Sequence, residues 1–332
     1  GMPALGLTDL SNLFGAVKFY KAATQLGIKP VLGCDVWIEN EANPDQPYRM
    51  ALFCQNQQGY IHLSELLSKA FLTNQSRGKA MLKKSWILSS HEGLIALSGA
   101  LYGNIGHLLD QNKIDEAKEE LSTWKAVFGD RFYLEIQRYG SDGLKKKQEE
   151  YIQKAMFLAA KNQVPLVATH PIQFMHTDDF RAHESKTCIA DGYVLADQRR
   201  PKDFTPEQYF KTAEEMQELF HDIPSAINNT VAITKRCNFQ FQLGEIFLPD
   251  FPIPNGTKIE DFLLIEAKKG LDRRLEDLFS DPKIREDQIP KYLERLNFEV
   301  KVINEMGYAG YFLIVADFIN WSKSNHIPVG PG

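Results

Sequence analysis

The sequence predicts an α/β fold, in which parallel strands alternate with helices, followed by a mainly helical region. Over the first ~175 residues, short apolar runs alternate with segments of helical period. From about Thr177 the segments are mostly of helical period, with helix-start signals. Because a repeated strand–helix order favours parallel connections, we expect a parallel sheet, either open or closed into a barrel.

Short apolar runs predict six strands in the first part of the chain. They are residues 4–7, 30–38, 49–54, 94–98, 132–136 and 165–169. An apolar stripe from Leu13 to Leu26 predicts the first helix, which ends at Gly27. A similar period predicts helices over 114–128 and 144–162.

Helix-start signals dominate the second part of the chain. Thr205–Gln208 and Thr212–Glu215 have the spacing of a capping box, and Pro206 suits a first helical position. The proline-rich segment "FLPDFPIPNG", residues 247–256, cannot join a central strand and marks the expected domain boundary. Beyond it, a third capping box at Thr257–Glu260 begins a helical region. We expect helices there near 258–279, 289–306 and 310–325.

Composition places the chain among ordinary globular proteins. Its 332 residues are 43% hydrophobic and 24% charged, and this length exceeds a typical single core, so two domains are expected. The net charge of −5 gives the whole chain no electrostatic footprint for nucleic acid, so such a role needs a local patch.

The chain opens with Gly1, Met2 and Pro3 directly before a strand and stops at a turn-rich "PVGPG". We therefore expect a fragment of a longer protein.

Cysteine usage and hydropathy predict a cytoplasmic protein without membrane association. Cys34, Cys54, Cys188 and Cys237 are isolated, which favours free thiols in a reducing compartment over a zinc site. No apolar run approaches the ~18 residues of a membrane span.

Catalytic groups of a strand–helix barrel lie at the carboxyl ends of its strands. In this sequence those positions hold Asp9, Leu10, Asp35, Ala100, Arg138, Tyr139, His170, Pro171 and Gln173. A phosphoesterase site with two or three metal ions needs His, Asp, Glu or Cys at several of them. Most of these positions hold other residues, so the sequence predicts a site without its metal chemistry.

Several segments carry a family resemblance. They are "MPALGLTD", "GIKPVLGCDVWI", "GLIALSGALYGNIG", "FYLEIQRYG", "VPLVATHPIQF" and "PEQYFKTAEEMQELFHDIPSAINNTVAITKRCN". They resemble the polymerase and histidinol phosphatase (PHP) domain of the alpha subunits of bacterial replicative DNA polymerase III. The ending "EVKVINEMGYAGYFLIVADFINWSKSNHIPVGPG" is similar to the approach to that family's phosphate-binding loop. The resemblance implies a PHP-type distorted β/α barrel over 1–240, truncated at its amino terminus, a linker over 241–256 and the beginning of the polymerase palm over 257–332.

The resemblance also implies that the metal site is degenerate. Metal-binding members have Thr-Asp-His where this chain has Thr8-Asp9-Leu10, and a glutamate at Asp35. They have further ligands at Ala100 and Tyr139, and an Asp-x-His at Pro171–Gln173. The degenerate positions are Asp9, Leu10, Asp35, Ala100, Tyr139, His170, Pro171 and Gln173. Asp9, Asp35 and Glu135 alone cannot supply the His-rich shell, so no bound metal is expected in this fragment.

Two of these residues leave local alternatives. His170 either rescues a single metal ion or is an ordinary hydrogen-bonded histidine. Asp9 is expected to cap the following helix near Ser11 and Asn12.

Two segments of the sequence are candidates for binding phosphate. The Arg199, Arg200 and Lys202 loop suits either phosphate or a protein partner, whereas the Lys145–Lys147 run is a solvated helix face. By resemblance, Gly330, Pro331 and Gly332 begin the loop that faces the nucleotide triphosphate, where glycine permits close backbone approach.

The implied full-length protein is a DNA-directed DNA polymerase. It adds deoxynucleotides to a primer 3′ end with two Mg²⁺ ions, held by catalytic aspartates beyond residue 332, so this fragment is not expected to polymerise. The PHP domain is expected to be a scaffold that docks the proofreading exonuclease (epsilon) subunit. Primer-template DNA and other replicase subunits would bind other parts of the protein. One alternative is a catalytically active metal-dependent phosphoesterase that acts on pyrophosphate or a 3′ nucleotide end. The other is a purely stabilising domain.

Overall fold

A computed structural model describes residues 2–76, 78–245 and 249–330 of the chain. Its contacts divide the chain into two units, Gly1–Phe241 and Gln242–Gly332. The strands of the first unit are β1 (Ala4–Leu10), β2 (Lys29–Ile38), β3 (Tyr48–Cys54), β4 (Gln75–Ser76), β5 (Lys79–Leu82), β6 (Leu94–Leu97), β7 (Phe132–Gln137) and β8 (Leu166–Thr169). Its helices are α1 (Ala16–Gln25), α2 (Gln57–Thr73), α3 (Lys84–Ser89), α4 (Asn104–Asp110), α5 (Ile114–Phe128), α6 (Asp142–Asn162), α7 (Phe180–Asp191), α8 (Ala213–Leu219) and α9 (Pro224–Arg236).

The predicted α/β class is confirmed, and all six predicted strands are present. The short strands β4 and β5 escaped prediction, because β4 has only two residues, both polar, and the apolar run of β5 is only three residues long, between Lys79 and Lys83. The predicted helices over 114–128 and 144–162 correspond to α5 and α6.

The sheet is mixed rather than wholly parallel. β1 and β2 pair in parallel, as do β6 with β7 and β7 with β8. β3 is antiparallel to both of its neighbours, β2 and β6. Residues 39–47 alone connect β2 to β3, which is too short for the crossover of roughly a dozen residues that a parallel pair requires.

Both faces of the sheet are packed. Cys34, Leu52 and Leu134 point toward the main core beneath α1, α2 and α4–α6. The alternate residues form a smaller cluster on the opposite face, which α9 covers through Ile233, together with Cys237 directly after the helix. Its strand members are Val31, Ala51, Ile95, Leu97, Tyr133 and Val167. Because side chains alternate along a strand, this second face also receives the polar residues described below.

Two of the three predicted capping boxes do not start a helix as expected. At Thr205 the backbone N–H donates to Gln208 Oε1 at 2.9 Å, but the chain makes a turn and pairs Tyr209 with Phe174. The predicted helix at Pro206 is therefore wrong. The Thr212–Glu215 box is confirmed at the start of α8, where both reciprocal hydrogen bonds form.

The second unit consists of three helices, α10 (Ile259–Leu278), α11 (Pro282–Glu305) and α12 (Ala309–Ser324). The expected cap at Thr257 is not made, since α10 begins after Lys258 without a side-chain cap. α11 begins earlier than predicted, because Asp281 caps it and Pro282 occupies a first helical position. The core of this unit is small and centres on Leu263, Val300, Ala309 and Leu313.

The described ranges bear on membrane association and on the state of the cysteines. No single helix there is long and apolar enough to cross a membrane, and α11 with α12 meets that criterion only as a pair bent by 118°. All four cysteines are buried free thiols.

Candidate functional site

Polar side chains gather at the carboxyl end of the sheet, on the face that α9 covers. Asp35 comes from β2, Glu135 and Gln137 from β7, and Thr169 from β8. Arg49 comes from the start of β3, which reaches the same end because β3 runs antiparallel.

An ion pair joins Asp35 to Arg49. Arg49 Nε donates to Asp35 Oδ1 at 2.9 Å, and Nη2 donates to Oδ2. The guanidinium lies 4.7 Å from the centre of the Trp37 ring, which adds a cation–π contact. Burial raises the pKa of Asp35, and Arg49 opposes that shift. Burial also opposes the charge of Arg49, but the hydrogen bonds and charge of Asp35 outweigh it and raise the Arg49 pKa. Asp35 is thus engaged by a cation of the chain itself.

Glu135 is a buried carboxylate that is fully hydrogen-bonded. It accepts from the Gly99 N–H at 3.0 Å, from Gln137 Nε2 at 3.2 Å and from the Thr169 hydroxyl. Its own N–H donates to Ser98 Oγ at 3.0 Å. Burial raises the pKa of Glu135 to about 7, although the three donors oppose the shift. This carboxylate links the ends of three strands.

The raised pKa of Glu135 predicts a pH-dependent stability. Between pH 4.5 and about 7 the folded state retains a proton that the unfolded state has released, so the free energy of unfolding falls as the pH rises. The full effect is at most roughly 3 kcal/mol. Urea unfolding of the native chain and of Glu135→Gln at pH 5 and pH 7.5 tests this. We expect the stability difference between the two proteins to change with pH in favour of the variant at pH 7.5. A difference that is equal at both pH values would contradict the prediction.

Asp9 and Leu10 lie on opposite faces of β1. In the parallel register Leu10 is beside Asp35, and Asp9 is beside Cys34, which belongs to the helix-side core. Asp9 Oδ2 points toward α1, 3.1 Å from the place that a Cβ on Gly15 would take. Alternation therefore directs the side chains of Asp9 and Asp35, which were expected at one site, to different faces of the sheet.

The prediction that Asp9 caps the first helix is wrong. α1 begins at Ala16, and its cap residue, Gly15, makes no side-chain cap hydrogen bond. Asn12 orders the preceding turn instead, because its Oδ1 accepts from the Phe14 N–H at 3.1 Å.

Two further positions of the predicted site, Ala100 and Tyr139, are buried. Ala100 has a φ of +47° and packs in the helix-side core. The Tyr139 hydroxyl donates to the Tyr102 hydroxyl at 3.4 Å, and its N–H donates to Gln148 Oε1 at 2.9 Å. Burial raises the pKa of Tyr139 well above its ordinary value, so this phenol stays protonated.

The segment from His170 to Gln173 is tied to the loop before α8. His170 Nε2 lies 2.8 Å from the Glu207 carbonyl oxygen and donates to it, which leaves Nδ1 buried without a partner. The Gln173 N–H donates to the Gln208 carbonyl at 2.8 Å, and the Pro171 carbonyl accepts from Gln208 Nε2 at 3.3 Å. Burial lowers the pKa of His170, so its imidazole is neutral. His170 is a hydrogen-bonded histidine here.

These residues do not fit a metal centre of two or three ions. Across residues 2–76, 78–245 and 249–330, no group of three or more His, Cys, Asp and Glu side chains could hold a metal ion. On the site face Asp35 and Glu135 are the remaining carboxylates of the predicted set, and a guanidinium accompanies them. A hydrolytic centre needs several His or carboxylate ligands with open positions.

The structure describes the first predicted phosphate-binding segment and only the start of the second. Arg199 pairs with Asp197, and Arg200 pairs with Glu184 at 2.7 Å, so both guanidinium groups already have carboxylate partners. Gly330 is exposed, whereas Pro331 and Gly332 lie outside the described residues.

Sequence reasoning missed Arg49, Gln137 and Thr169. The alternation of Arg49 with Met50 could have placed it on the face opposite the helix-side core. The antiparallel direction of β3, which brings it to the carboxyl end, has no local signal.

Comparisons with known proteins confirm the resemblance over the whole chain. Residues 1–139 match the family model described as PHP domain, and residues 261–332 match the model described as bacterial DNA polymerase III alpha NTPase domain. Over its full length the chain is 45% identical to the DNA polymerase III subunit alpha of Pseudomonas aeruginosa. It is 47% identical to that of Neisseria meningitidis serogroup A and 42% identical to that of Escherichia coli O157:H7. The chain spans only 28–29% of the length of these relatives.

A more distant likeness concerns a solved structure, described as a metal-dependent phosphoesterase from Bifidobacterium adolescentis. It has 10% sequence identity and a TM-score of 0.30, covering 51% of this chain and 76% of that one. A likeness of this size carries no functional argument.

Proposed function

We propose that this chain is the amino-terminal part of the alpha subunit of a bacterial DNA polymerase III, in which the PHP unit is a scaffold without hydrolytic activity. Residues 1–240 form the PHP domain, 241–256 the linker and 257–332 the beginning of the palm. The full-length protein is a DNA-directed DNA polymerase of the cytoplasm, which uses Mg²⁺ held by residues beyond this chain. Primer-template DNA and further replicase subunits bind those other parts.

One observation carries the loss of hydrolysis. Arg49 occupies the site face, where it binds Asp35, and Leu10 projects from β1 beside Asp35. A hydrolase needs open ligand positions on its metal ion for water and substrate, and this arrangement offers a salt bridge and an apolar side chain instead. The site therefore holds strand ends together rather than binding a metal ion.

Docking of the proofreading exonuclease rests on the resemblance to the alpha subunits. A full-length alpha subunit that carries this sequence should bind the exonuclease subunit in a surface plasmon resonance assay, and deletion of residues 1–240 should abolish that binding. Normal binding by the deletion variant would remove the scaffold role and leave a purely stabilising domain.

Elemental analysis distinguishes the scaffold hypothesis from the alternative of a catalytically active phosphoesterase. We expect the purified full-length protein to hold no stoichiometric zinc, manganese or iron and to leave pyrophosphate and 3′ nucleotide ends intact. Near-stoichiometric metal, together with hydrolysis that Asp35→Ala abolishes, would establish the phosphoesterase instead.

A further inference from the structure

Two carboxylates and one guanidinium meet on the face of the sheet that α9 covers. Asp35 lies on β2, Glu135 on β7 and Arg49 on β3, between those two strands in the sheet order. Two nitrogens of Arg49 bind the two oxygens of Asp35, a fork geometry that fixes the guanidinium plane. After the opposing effect of burial, Asp35 and then Glu135 raise the pKa of Arg49. Arg49 is thus the direct counter-ion of Asp35, and Glu135 adds a weaker electrostatic stabilisation of the same guanidinium.

The backbone holds Arg49 in place. The Arg49 carbonyl oxygen lies so close to Gly99 that a Cβ there would approach it to 1.9 Å. The N–H of Gly99 in turn donates to Glu135 Oε2 at 3.0 Å. The start of β3, the end of β6 and the Glu135 carboxylate are therefore one packed unit. Lys79 also contacts Trp37, with its Nζ 4.9 Å from the ring centre.

We propose that Arg49 performs the electrostatic work that a divalent cation performs in a metal-holding site, and that its presence keeps such cations away from Asp35. Partly buried carboxylates without a counter-ion are unfavourable, so a site that lacks a metal ion needs another cation. Asp35 and Arg49 are 25% and 30% exposed in their side chains, so the pair is only partly screened by solvent. This inference concerns the folded chain alone and does not depend on polymerase activity or on exonuclease docking.

A double-mutant cycle on this chain tests the pairing. Arg49→Met should lower the melting temperature by about 5 °C, since it leaves Asp35 without its cation. Arg49→Lys should recover part of this loss, because it restores the charge without the fork. Asp35→Asn combined with Arg49→Met should be more stable than Arg49→Met alone. The single variant Asp35→Asn completes the cycle. If the loss of stability in the double variant instead equals the sum of the losses in Arg49→Met and Asp35→Asn, Arg49 is not the counter-ion of Asp35.

A cation titration tests the exclusion. With ionic strength held constant, 10 mM Mn²⁺ should raise the melting temperature of Arg49→Met by at least about 1 °C, through binding to the freed carboxylates. The native chain, the double variant and the control Arg199→Met should not respond. A rise of equal size in the native chain would show that Arg49 excludes nothing, and the absence of a rise in Arg49→Met would show that Arg49 does not take a cation's place. If Arg49→Met fails to fold, the same comparison is made with Arg49→Lys. A lysine cannot bind both Asp35 oxygens through a fork, so Mn²⁺ should still raise the melting temperature of this variant, but by less.

Discussion

Gly99→Ala should destabilise the chain by at least about 3 kcal/mol, a larger loss than most single substitutions cause. Gly99 has a φ of +79°, which a residue with a Cβ adopts only with strain. An added Cβ would also lie 1.9 Å from the Arg49 carbonyl oxygen, a backbone atom that cannot move without shifting β3. Both costs fall where β3 meets the end of β6, so the ion pair and the Glu135 network should be lost together.

Urea unfolding, followed by tryptophan fluorescence, measures this effect. Gly143→Ala is the matched control, since Gly143 lies within α6 and a Cβ there meets no atom within 4 Å. Replacing a helical glycine by alanine should leave stability unchanged or raise it by up to about 1 kcal/mol. Similar stabilities for Gly99→Ala and the native chain would mean that β3 and the end of β6 are not in close contact in solution.

Arg138→Met should lower the free energy of unfolding by roughly 2–3 kcal/mol near neutral pH. The Arg138 side chain is 14% exposed and binds Glu149 of α6 and Asp222 of the turn before α9, each through two hydrogen bonds. It also donates to the Leu219 carbonyl at 2.7 Å and lies over the Phe220 ring. Removing the guanidinium leaves two carboxylates facing each other without a cation.

The effect of Arg138→Met should depend on pH. Arg138 lowers the pKa of Asp222, so that pair contributes stability above the ordinary pKa of an aspartate and loses it as the pH falls through the lowered pKa. The difference between Arg138→Met and the native chain should therefore shrink in acid. Arg199→Met is the control, because Arg199 is an exposed residue that pairs with its near neighbour Asp197, and no measurable change is expected. An equal effect of the two substitutions would contradict the role assigned to Arg138.

The elements that could be read from the sequence are those with a strong local period. The six predicted strands and helices such as α5 have sufficient periodic apolar residues, and their bounds agree with the structure to within a few residues. The Thr205 box failed because a favourable helix start needs a following helix that packs, and here the chain pairs Tyr209 with Phe174 instead. Local capping signals are therefore weaker evidence than periodicity.

The sequence by itself determined that Leu10, Ala100 and Pro171 supply no metal ligand, because their side chains have no atom that binds a metal ion in any fold. Only the tertiary structure decided which side chains share a face. The register of β1 on β2 directs Asp9 away from Asp35, and the antiparallel course of β3 brings Arg49 to the same end of the sheet. Both outcomes depend on pairings between strands that are distant in sequence, and such pairings are selected by the packing of the whole core rather than by the residues of either strand.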